Sequence, residues 1–314
     1  MSLSILFVGN FEPAHSTENH LAKTLVDMGH DVTEAQEVGH YAVTADQVVV
    51  ELFKYDLLMW VRTPPGLKGD SVRMLETAKK LGIPTVAYHL DLFAPISRKT
   101  DVDTEPWWKC EYVITADGGS DPFWKEHGIN HFWLSPGVYR PECYPAESTG
   151  FKHEVIFTGQ RSYHIEWPYR PQLIDFLAET YGKDFHRFPM PGEAAVRNEA
   201  LNQLYADTKI VIGDSLVLNF THKYYWSDRL NEVLGRGGFM IFPRIKGLED
   251  HVIEDKEIVL YTFGDFDELK SKIDYYLSHD DEREEIRLAG HKRILKDGTY
   301  HNRMDSMLKI IGMK

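Results

Sequence analysis

The stretch that decides the fold runs from Ser227 to Asp250 and reads S-D-R-L-N-E-V-L-G-R-G-G-F-M-I-F-P-R-I-K-G-L-E-D. Its pattern predicts a helix, a glycine turn, a short strand and a polar loop. Asp228 is suited to cap the helix, because an Asp side chain accepts hydrogen bonds from free first-turn amides. The apolar run 239–242 suits a parallel strand that is buried on both faces. Three apolar side chains have the spacing of one buried helix face: Leu230, Val233 and Leu234.

Three polar residues of the predicted helix do not fit burial: Arg229, Asn231 and Glu232. The glycines that follow, at 235, 237 and 238, end the helix where a positive φ is often needed. In open α/β sheets, ligands bind outside the carboxyl ends of the strands and near helix starts. The three polar side chains are therefore candidates for ligand binding.

The same residues carry a family resemblance. R-L-N-E-V-L-G-R-G-G-F-M-I-F followed by G-L-E resembles the nucleotide-sugar half of GT-B glycosyltransferases, most closely the group 1, CgeB-like (spore-maturation-type, also phage-encoded) family with R-x-x-E-A-x-A-x-G-x-x-x-I and then G-L-E. The resemblance implies that Glu232 holds the ribose hydroxyls, since a carboxylate accepting from two vicinal hydroxyls makes strong charge-assisted bonds. It implies a nucleotide-sugar site that also includes Arg229, Asn231, Gly247, Leu248 and Glu249.

Two observations keep other interpretations open. Many retaining relatives carry E-x7-E, whereas the position of the first glutamate is Tyr224 here. The alternative to a donor site is an ordinary helix–turn–strand in which Glu232 is merely solvated.

Length and composition indicate a globular protein of two domains. The chain has 314 residues, of which 43% are apolar and 26% charged, as is usual for globular proteins. It has no apolar run long enough for a membrane span and no signal peptide, and its two cysteines favour a reducing compartment. We therefore expect a cytoplasmic protein, bacterial or in a phage-infected host. The net charge of −13 disfavours general polyanion binding; residues 1–150 carry −9 and residues 151–314 carry −4.

Strands alternate with helices along most of the chain, which predicts parallel sheets with right-handed crossovers. The expected fold class is α/β of the GT-B type, with two doubly wound Rossmann-like domains facing a central cleft. The predicted boundaries are an N-terminal acceptor-side domain at 1–140, a linker at 141–152 and a nucleotide-sugar-binding domain at 153–298. The linker is predicted because 135–152 holds three prolines and no periodicity. A final helix, 299–314, is placed to cross back to the first domain.

A second candidate segment for the donor is F-T-G-Q-R at 157–161. It resembles the family's glycine-arginine loop, in which the arginine neutralises the departing diphosphate, and this assigns Gly159 and Arg161 to the donor site. The lysine that often follows in the family is missing, and Arg170 and Lys223 are the candidates to replace it. The alternative is that Arg161 is a surface residue.

In the first domain, Y-H-L-D at 88–91 follows a buried strand and resembles a T-V-H-D segment whose histidine faces the donor sugar. His89 and Asp91 are therefore catalytic candidates, because a neutral imidazole at a strand end donates to a sugar hydroxyl or shuttles a proton. His15, in the loop after the first strand, is a candidate to line the cleft or act as base. A structural histidine is the alternative.

No metal or cofactor is expected besides the donor itself. Asp101-Val102-Asp103 is a D-x-D, a motif that binds metal in GT-A enzymes, but it lies in a charged segment that we interpret as a solvated loop. The two cysteines are too far apart for zinc. Its tryptophans suit core packing better than sugar platforms.

The predicted function is transfer of a sugar from a nucleoside-diphosphate sugar to an acceptor hydroxyl. The resemblance favours retention of anomeric configuration. The acceptor is a glycan, a protein or modified DNA. Two alternatives remain open: a phage-type enzyme acting on hydroxymethylated pyrimidine bases, and a non-catalytic protein that binds sugar nucleotides.

Overall fold

The computed structural model describes residues 2–91, 101–162, 167–215 and 222–314, with the side chain of residue 101 left out. The chain divides into two compact units. The first unit combines Met1–Ser135 with Tyr300–Lys314, and the second is Pro136–Thr299. Among the described residues, no helix combines the length and the apolar character that crossing a bilayer requires. Both cysteines are free thiols and buried.

The first unit contains a six-stranded sheet in which all neighbours are parallel, in the order β2-β1-β3-β4-β5-β6. Its strands are β1 (Ser4–Gly9), β2 (Asp31–Gln36), β3 (Leu57–Trp60), β4 (Thr85–His89), β5 (Tyr112–Thr115) and β6 (His131–Trp133). Its described helices are α1 (Thr17–Asp27), α2 (Ala45–Glu51), α3 (Ser71–Leu81), α4 (Asp101–Thr104), α5 (Asp121–Glu126) and α11 (Tyr300–Ile310), with short 3-10 turns at Leu52–Lys54 and Pro106–Lys109. The last helix, α11, packs against α1.

Side-chain caps start three of these helices. Ser16 Oγ accepts from Asn19 N at 3.2 Å at the start of α1, and Asp70 accepts from Arg73 N at 2.9 Å before α3. Thr44 begins α2 with a reciprocal capping box to Gln47. Strands β1, β3 and β4 are almost entirely buried, whereas the edge strand β2 is largely exposed, so burial of apolar surface in the central strands holds the unit together.

The second unit contains a five-stranded parallel sheet in the order β11-β10-β9-β7-β8. Its strands are β7 (His153–Thr158), β8 (Phe185–Phe188), β9 (Thr208–Ile212), β10 (Met240–Pro243) and β11 (Val259–Tyr261). Its helices are α6 (Tyr169–Tyr181), α7 (Asn198–Ala206), α8 (Arg229–Gly235), α9 (Phe266–Ser278) and α10 (Asp280–Asp297), with 3-10 turns at Arg140–Glu142, Gly182–Asp184 and Leu248–Asp250. Each unit is thus a doubly wound α/β structure, as the alternating pattern predicts.

The segment 136–152 packs against the second unit instead of running free as a linker. Asn202 Nδ2 donates to the carbonyls of Glu142 and Tyr144, at 2.9 and 2.7 Å. The buried carboxylate of Asp207 accepts from Thr149 N at 2.8 Å and from Lys152 Nζ at 2.7 Å. A proline-rich stretch without periodicity can therefore be an ordered part of a domain when neighbouring helices satisfy its polar groups.

Two local predictions need correction. The D-x-D at 101–103 lies in the short helix α4 and not in a loop, and Asp103 Oδ1 is 3.8 Å from His127 Nε2. Asp228 occupies the N-cap position of α8, but its side chain makes no capping hydrogen bond. Instead, the hydroxyl of Ser227 accepts from Arg229 N at 3.2 Å.

Candidate functional site

The turn after β7 is built around Gly159. Its φ of +148° is close to a region that only glycine occupies readily, and a Cβ at this position would lie 3.1 Å from the Phe157 ring. The turn is fixed from both sides, because Gly159 N donates to Phe188 O at 2.7 Å and Gly159 O accepts from Arg187 Nη1 at 3.1 Å. The sequence therefore sets a tight, glycine-dependent turn at the carboxyl edge of the second sheet.

A polar network connects this edge to α8. Thr158, the last residue of β7, has its hydroxyl 3.2 Å from the hydroxyl of Tyr205, and Arg229 hydrogen-bonds to the same phenol. Arg229 Nη1 also pairs with the Glu232 carboxylate. Burial raises the pKa of Tyr205 to about 12, and the Glu232 charge adds to this effect. The phenol is therefore neutral at physiological pH.

The two charges on α8 stabilise each other. Burial by itself lowers the pKa of Arg229, but Glu232, Tyr205 and Asp228 together outweigh it, so the net shift is upward. Glu232 Oε1 lies 4.0 Å from Arg236 Nε, so a second guanidinium is near the carboxylate. The Glu232 side chain is 17% exposed, which leaves a partly accessible, oriented anion within the first turn of the helix. Such a carboxylate can accept further hydrogen bonds from vicinal hydroxyls.

Asn231, the third polar residue of α8, has a different environment. Its side chain is buried and its amide donates to the carbonyl of Pro136. The structure thus gives Asn231 an anchoring contact between the helix and the segment 136–152. Spacing along the helix could not reveal this contact, because the two partners lie 95 positions apart in the sequence.

Arg170 forms a buried ion pair that the sequence did not indicate. Its Nε lies 2.8 Å from Asp214 Oδ2, and Trp167 Nε1 donates to the same oxygen at 3.2 Å. Asp214 and Ser215 directly follow β9 and are buried. Within the part of the chain that the structure describes, Asp214 Oδ1 and the Ser215 hydroxyl have no hydrogen-bond partner. The charge of Arg170 is therefore largely committed to Asp214.

The other two predicted cations are exposed. Arg161 forms a surface pair with Asp175, with 2.5 Å between Arg161 Nη2 and Asp175 Oδ2. Lys223 Nζ lies 5.8 Å from the centre of the Tyr224 ring. Both side chains can reorient at little cost, because surface ion pairs contribute little free energy.

The G-L-E turn has an internal structure of its own. Gly247 has φ +96°, and a Cβ there would collide with the Tyr224 ring at 2.3 Å. Glu249 Oε2 accepts from Gly247 N at 2.7 Å, and the Leu248 side chain is fully buried. Tyr224, which occupies the position of the family's first glutamate, therefore packs on this turn.

In the first unit, His89 ends β4. Its Nδ1 accepts from Asp91 N at 3.0 Å, and its ring stacks on the ring of Trp107 with centroids 5.4 Å apart. His15 lies exposed in the loop before α1, where Asn19 Nδ2 donates to the carbonyls of Phe11 and Pro13. His89 and Asp91 are thus adjacent and bonded through the backbone of Asp91.

A buried pair of carboxylates at the carboxyl edge of the first sheet was not predicted as a site. Glu37 follows β2 and accepts from Trp60 Nε1 at 2.8 Å and from the amide of Thr63. Glu18 Oε1 accepts from the Thr63 hydroxyl at 3.2 Å. Burial raises the pKa of Glu37 to about 7 and raises that of Glu18. The only sequence signal was a first-turn acid at position 18, because contacts between separate loops do not follow from periodicity.

Comparisons with known proteins place these sites in context. Residues 159–309 match the model of the family described as glycosyl transferase-like. A glycosyltransferase from Rickettsia africae has a similar fold, with 13% identity, a TM-score of 0.65 and coverage of 98% of this chain and 97% of that chain. Anabaena HepE in complex with UDP and glucose is similar at 14% identity and a TM-score of 0.66, with coverage of 98% of this chain and 100% of that chain. An α-glucosyltransferase in complex with UDP and a 13-mer DNA is similar at 12% identity and a TM-score of 0.70, with coverage of 99% of this chain and 100% of that chain. No curated protein sequence matches the chain.

The fold and the matched segment indicate the class of protein: the chain has the GT-B fold, and its residues 159–309 match the glycosyl transferase-like family. More particularly, its glycosyl transferase-like segment begins at Gly159 and includes α8 with Arg229 and Glu232. The predicted fold class of two Rossmann-like α/β domains is confirmed.

The Arg170–Asp214 pair gives a stability prediction. Arg170→Met leaves the Asp214 carboxylate buried and unpaired, and we expect the free energy of unfolding to fall by about 3–5 kcal/mol. The matched control is Arg161→Met, which removes an exposed pair and should cost about 0–1 kcal/mol. Urea denaturation of both variants measures the difference. Equal, small effects would show that Asp214 is not held by Arg170, and adding Asp214→Asn to Arg170→Met should restore part of the loss.

Proposed function

We propose that the protein transfers a sugar from a UDP-sugar to an acceptor hydroxyl, and that the second unit binds the uridine nucleotide. The observation that carries the proposal is the half-buried Glu232 carboxylate, held by Arg229 in the first turn of α8 inside the matched segment. The choice of UDP is supported by the similar folds whose structures contain UDP or UDP-glucose. We further propose CgeB-like affiliation, on the motif R-L-N-E-V-L-G-R-G-G.

In this proposal Glu232 accepts hydrogen bonds from the two ribose hydroxyls. The Gly159 turn leaves room for the diphosphate, since no side chain projects from it. During transfer the bond between the anomeric carbon and the diphosphate oxygen breaks, a bond from the anomeric carbon to the acceptor oxygen forms, and the proton of the acceptor hydroxyl is released to water. UDP leaves with additional negative charge, for which Arg161 is the proposed counter-charge because its surface pair with Asp175 is easily exchanged.

His89 is the proposed hydrogen-bond donor that the first unit contributes to the sugar, and His15 and Asp91 remain secondary candidates. Arg170 and Asn231 act in this proposal as structural supports, because each is bonded to a protein group. Leu248 and Gly247 are buried and shape the G-L-E turn, while the exposed side chains of Glu249 and Lys223 are free to extend the donor site. We propose retention of configuration, on the family resemblance, although Tyr224 replaces the first glutamate of E-x7-E.

The acceptor is proposed to be a glycan or a protein. A similar fold is seen in an α-glucosyltransferase bound to DNA, so a duplex containing hydroxymethylated pyrimidines is the rival acceptor. The charge of −9 over residues 1–150 opposes it, because DNA binding depends on neutralising phosphates with Lys and Arg. We also propose a cytoplasmic location, in keeping with two free, buried thiols. A protein that only senses sugar nucleotides would bind UDP-glucose without hydrolysing it.

The role of Glu232 predicts a binding defect. Glu232→Gln removes the charge from the carboxylate that we assign to the ribose, so we expect UDP affinity to weaken by about 1.5–3 kcal/mol, roughly tenfold to a hundredfold in Kd. Isothermal titration calorimetry with UDP measures the change. The control is Glu199→Gln, an exposed carboxylate in the first turn of α7. An unchanged Kd in a folded Glu232→Gln variant would refute the assignment.

The proposal also predicts turnover without a metal ion. We expect UDP-glucose hydrolysis to continue at an unchanged rate in excess EDTA, because arginine charge stabilises the leaving diphosphate. Loss of turnover with chelator, restored by Mn²⁺, would contradict this and would make the D-x-D at 101–103 the first place to test by Asp103→Asn.

A further inference from the structure

We propose that Trp107 is a positioning residue for His89. The Trp107 ring and the Asp91 amide together hold the His89 imidazole in one orientation and one tautomer, with the proton on Nε2. The use of that proton as a hydrogen bond to a sugar oxygen rests on the proposed function. The positioning itself rests on contacts within the first unit.

The tautomer follows from the hydrogen bond to Asp91. The backbone N–H of Asp91 donates to His89 Nδ1 over 3.0 Å. A ring nitrogen that accepts a hydrogen bond carries no proton, so in the neutral imidazole the proton is on Nε2. This arrangement makes His89 Nε2 a donor, which suits contact with a sugar oxygen and does not suit proton abstraction by the same nitrogen.

The plane of the ring is fixed by Trp107. The two rings stack with centroids 5.4 Å apart and an interplanar angle of 26°. His89 is half-buried, whereas Trp107 is buried to 1% exposure. An amide hydrogen bond alone would let the imidazole tilt about the N–H direction, and the stacked indole removes that freedom.

Trp107 is itself held in a column of aromatic rings. Its ring stacks on Trp108 at 3.9 Å, Trp108 stacks on Trp124 at 5.2 Å, and Trp124 stacks on His131 at 4.6 Å. The three tryptophans are buried in one hydrophobic cluster. Close-packed interiors restrict rotamer exchange, so the column presents Trp107 to His89 as a rigid surface.

The alternative is that the column of aromatic rings only stabilises the fold, in which case the orientation of the His89 ring would not matter. Burial of three indoles contributes to stability whether or not the last ring orients a histidine. The two interpretations differ in what happens to the imidazole when Trp107 is replaced, and the structure provides a matched control at the other end of the column. Trp124 is equally buried and stacks on His131 instead of His89.

The experiment uses the full chain with ¹⁵N-labelled histidine. Imidazole ¹⁵N–¹H correlation spectra are recorded for the wild type, Trp107→Leu, Trp107→Phe and Trp124→Leu, and a His89→Gln variant identifies the His89 signals. We expect a single Nε2–H tautomer for His89 in the wild type, a tautomer mixture in Trp107→Leu, and recovery of the single tautomer in Trp107→Phe. Trp124→Leu should leave the His89 tautomer unchanged.

Turnover is measured in parallel as UDP-glucose hydrolysis per folded protein. We expect Trp107→Leu to lower kcat by about tenfold to a hundredfold, the scale associated with misplacing a catalytic group, with KM nearly unchanged. Trp107→Phe should restore most of kcat. If His89 keeps a single tautomer in the Trp107→Leu variant, the positioning role is overturned. It is also overturned if the Trp107→Leu variant has a mixture of His89 tautomers but a normal kcat. If the wild type turns over no UDP-sugar, the proposed function fails, and the spectra still decide whether Trp107 fixes the imidazole.

Discussion

The pairing of Arg229 with Glu232 is the interaction on which the second unit's site depends. A charge withdrawn from water is tolerated only when a partner compensates the lost hydration. Here the guanidinium is shared between Glu232 and the phenol of Tyr205, and that phenol in turn contacts Thr158 at the end of β7. The carboxylate is therefore oriented by contacts that begin in the sheet itself. A ligand that binds Glu232 meets a group whose position has been set by folding.

The need to compensate a buried charge also explains why two arginines that were predicted to bind the donor, Arg170 and Arg161, differ in their environment. Arg170 is close to the carboxyl edge of the sheet, but its partner Asp214 is fully buried and would lose its compensating charge if Arg170 turned towards a ligand. Arg161 lies in the turn after β7 with an exposed partner, so its guanidinium can be redirected at little cost. Burial of the partner, more than position in the sequence, separates a supporting arginine from one that is available to a diphosphate.

Much of the fold could be predicted because apolar spacing and strand alternation are local signals. The helix and the strand predicted within Ser227–Asp250 are observed as α8 (Arg229–Gly235) and β10 (Met240–Pro243). Helix α2 was missed although Thr44-x-x-Gln47 is a capping box, because only Val48 and Ala45 of the helix are buried and its apolar stripe is weak. The contacts of Asn231 with Pro136 and of Arg170 with Asp214 join residues 95 and 44 positions apart. Such pairs are determined by topology, which no spacing rule describes.

The central claim is that UDP binds at the carboxyl edge of the second sheet, between the Gly159 turn and α8. Hydrogen–deuterium exchange of the full chain, with and without saturating UDP, tests it most directly, because amides that a ligand covers or stabilises exchange more slowly. We predict that UDP slows exchange in the turn 158–162 and at the start of α8 around Arg229 and Glu232, with smaller changes in the first unit. Binding of UDP that leaves both segments unchanged, or protection restricted to the first unit, would contradict the claim.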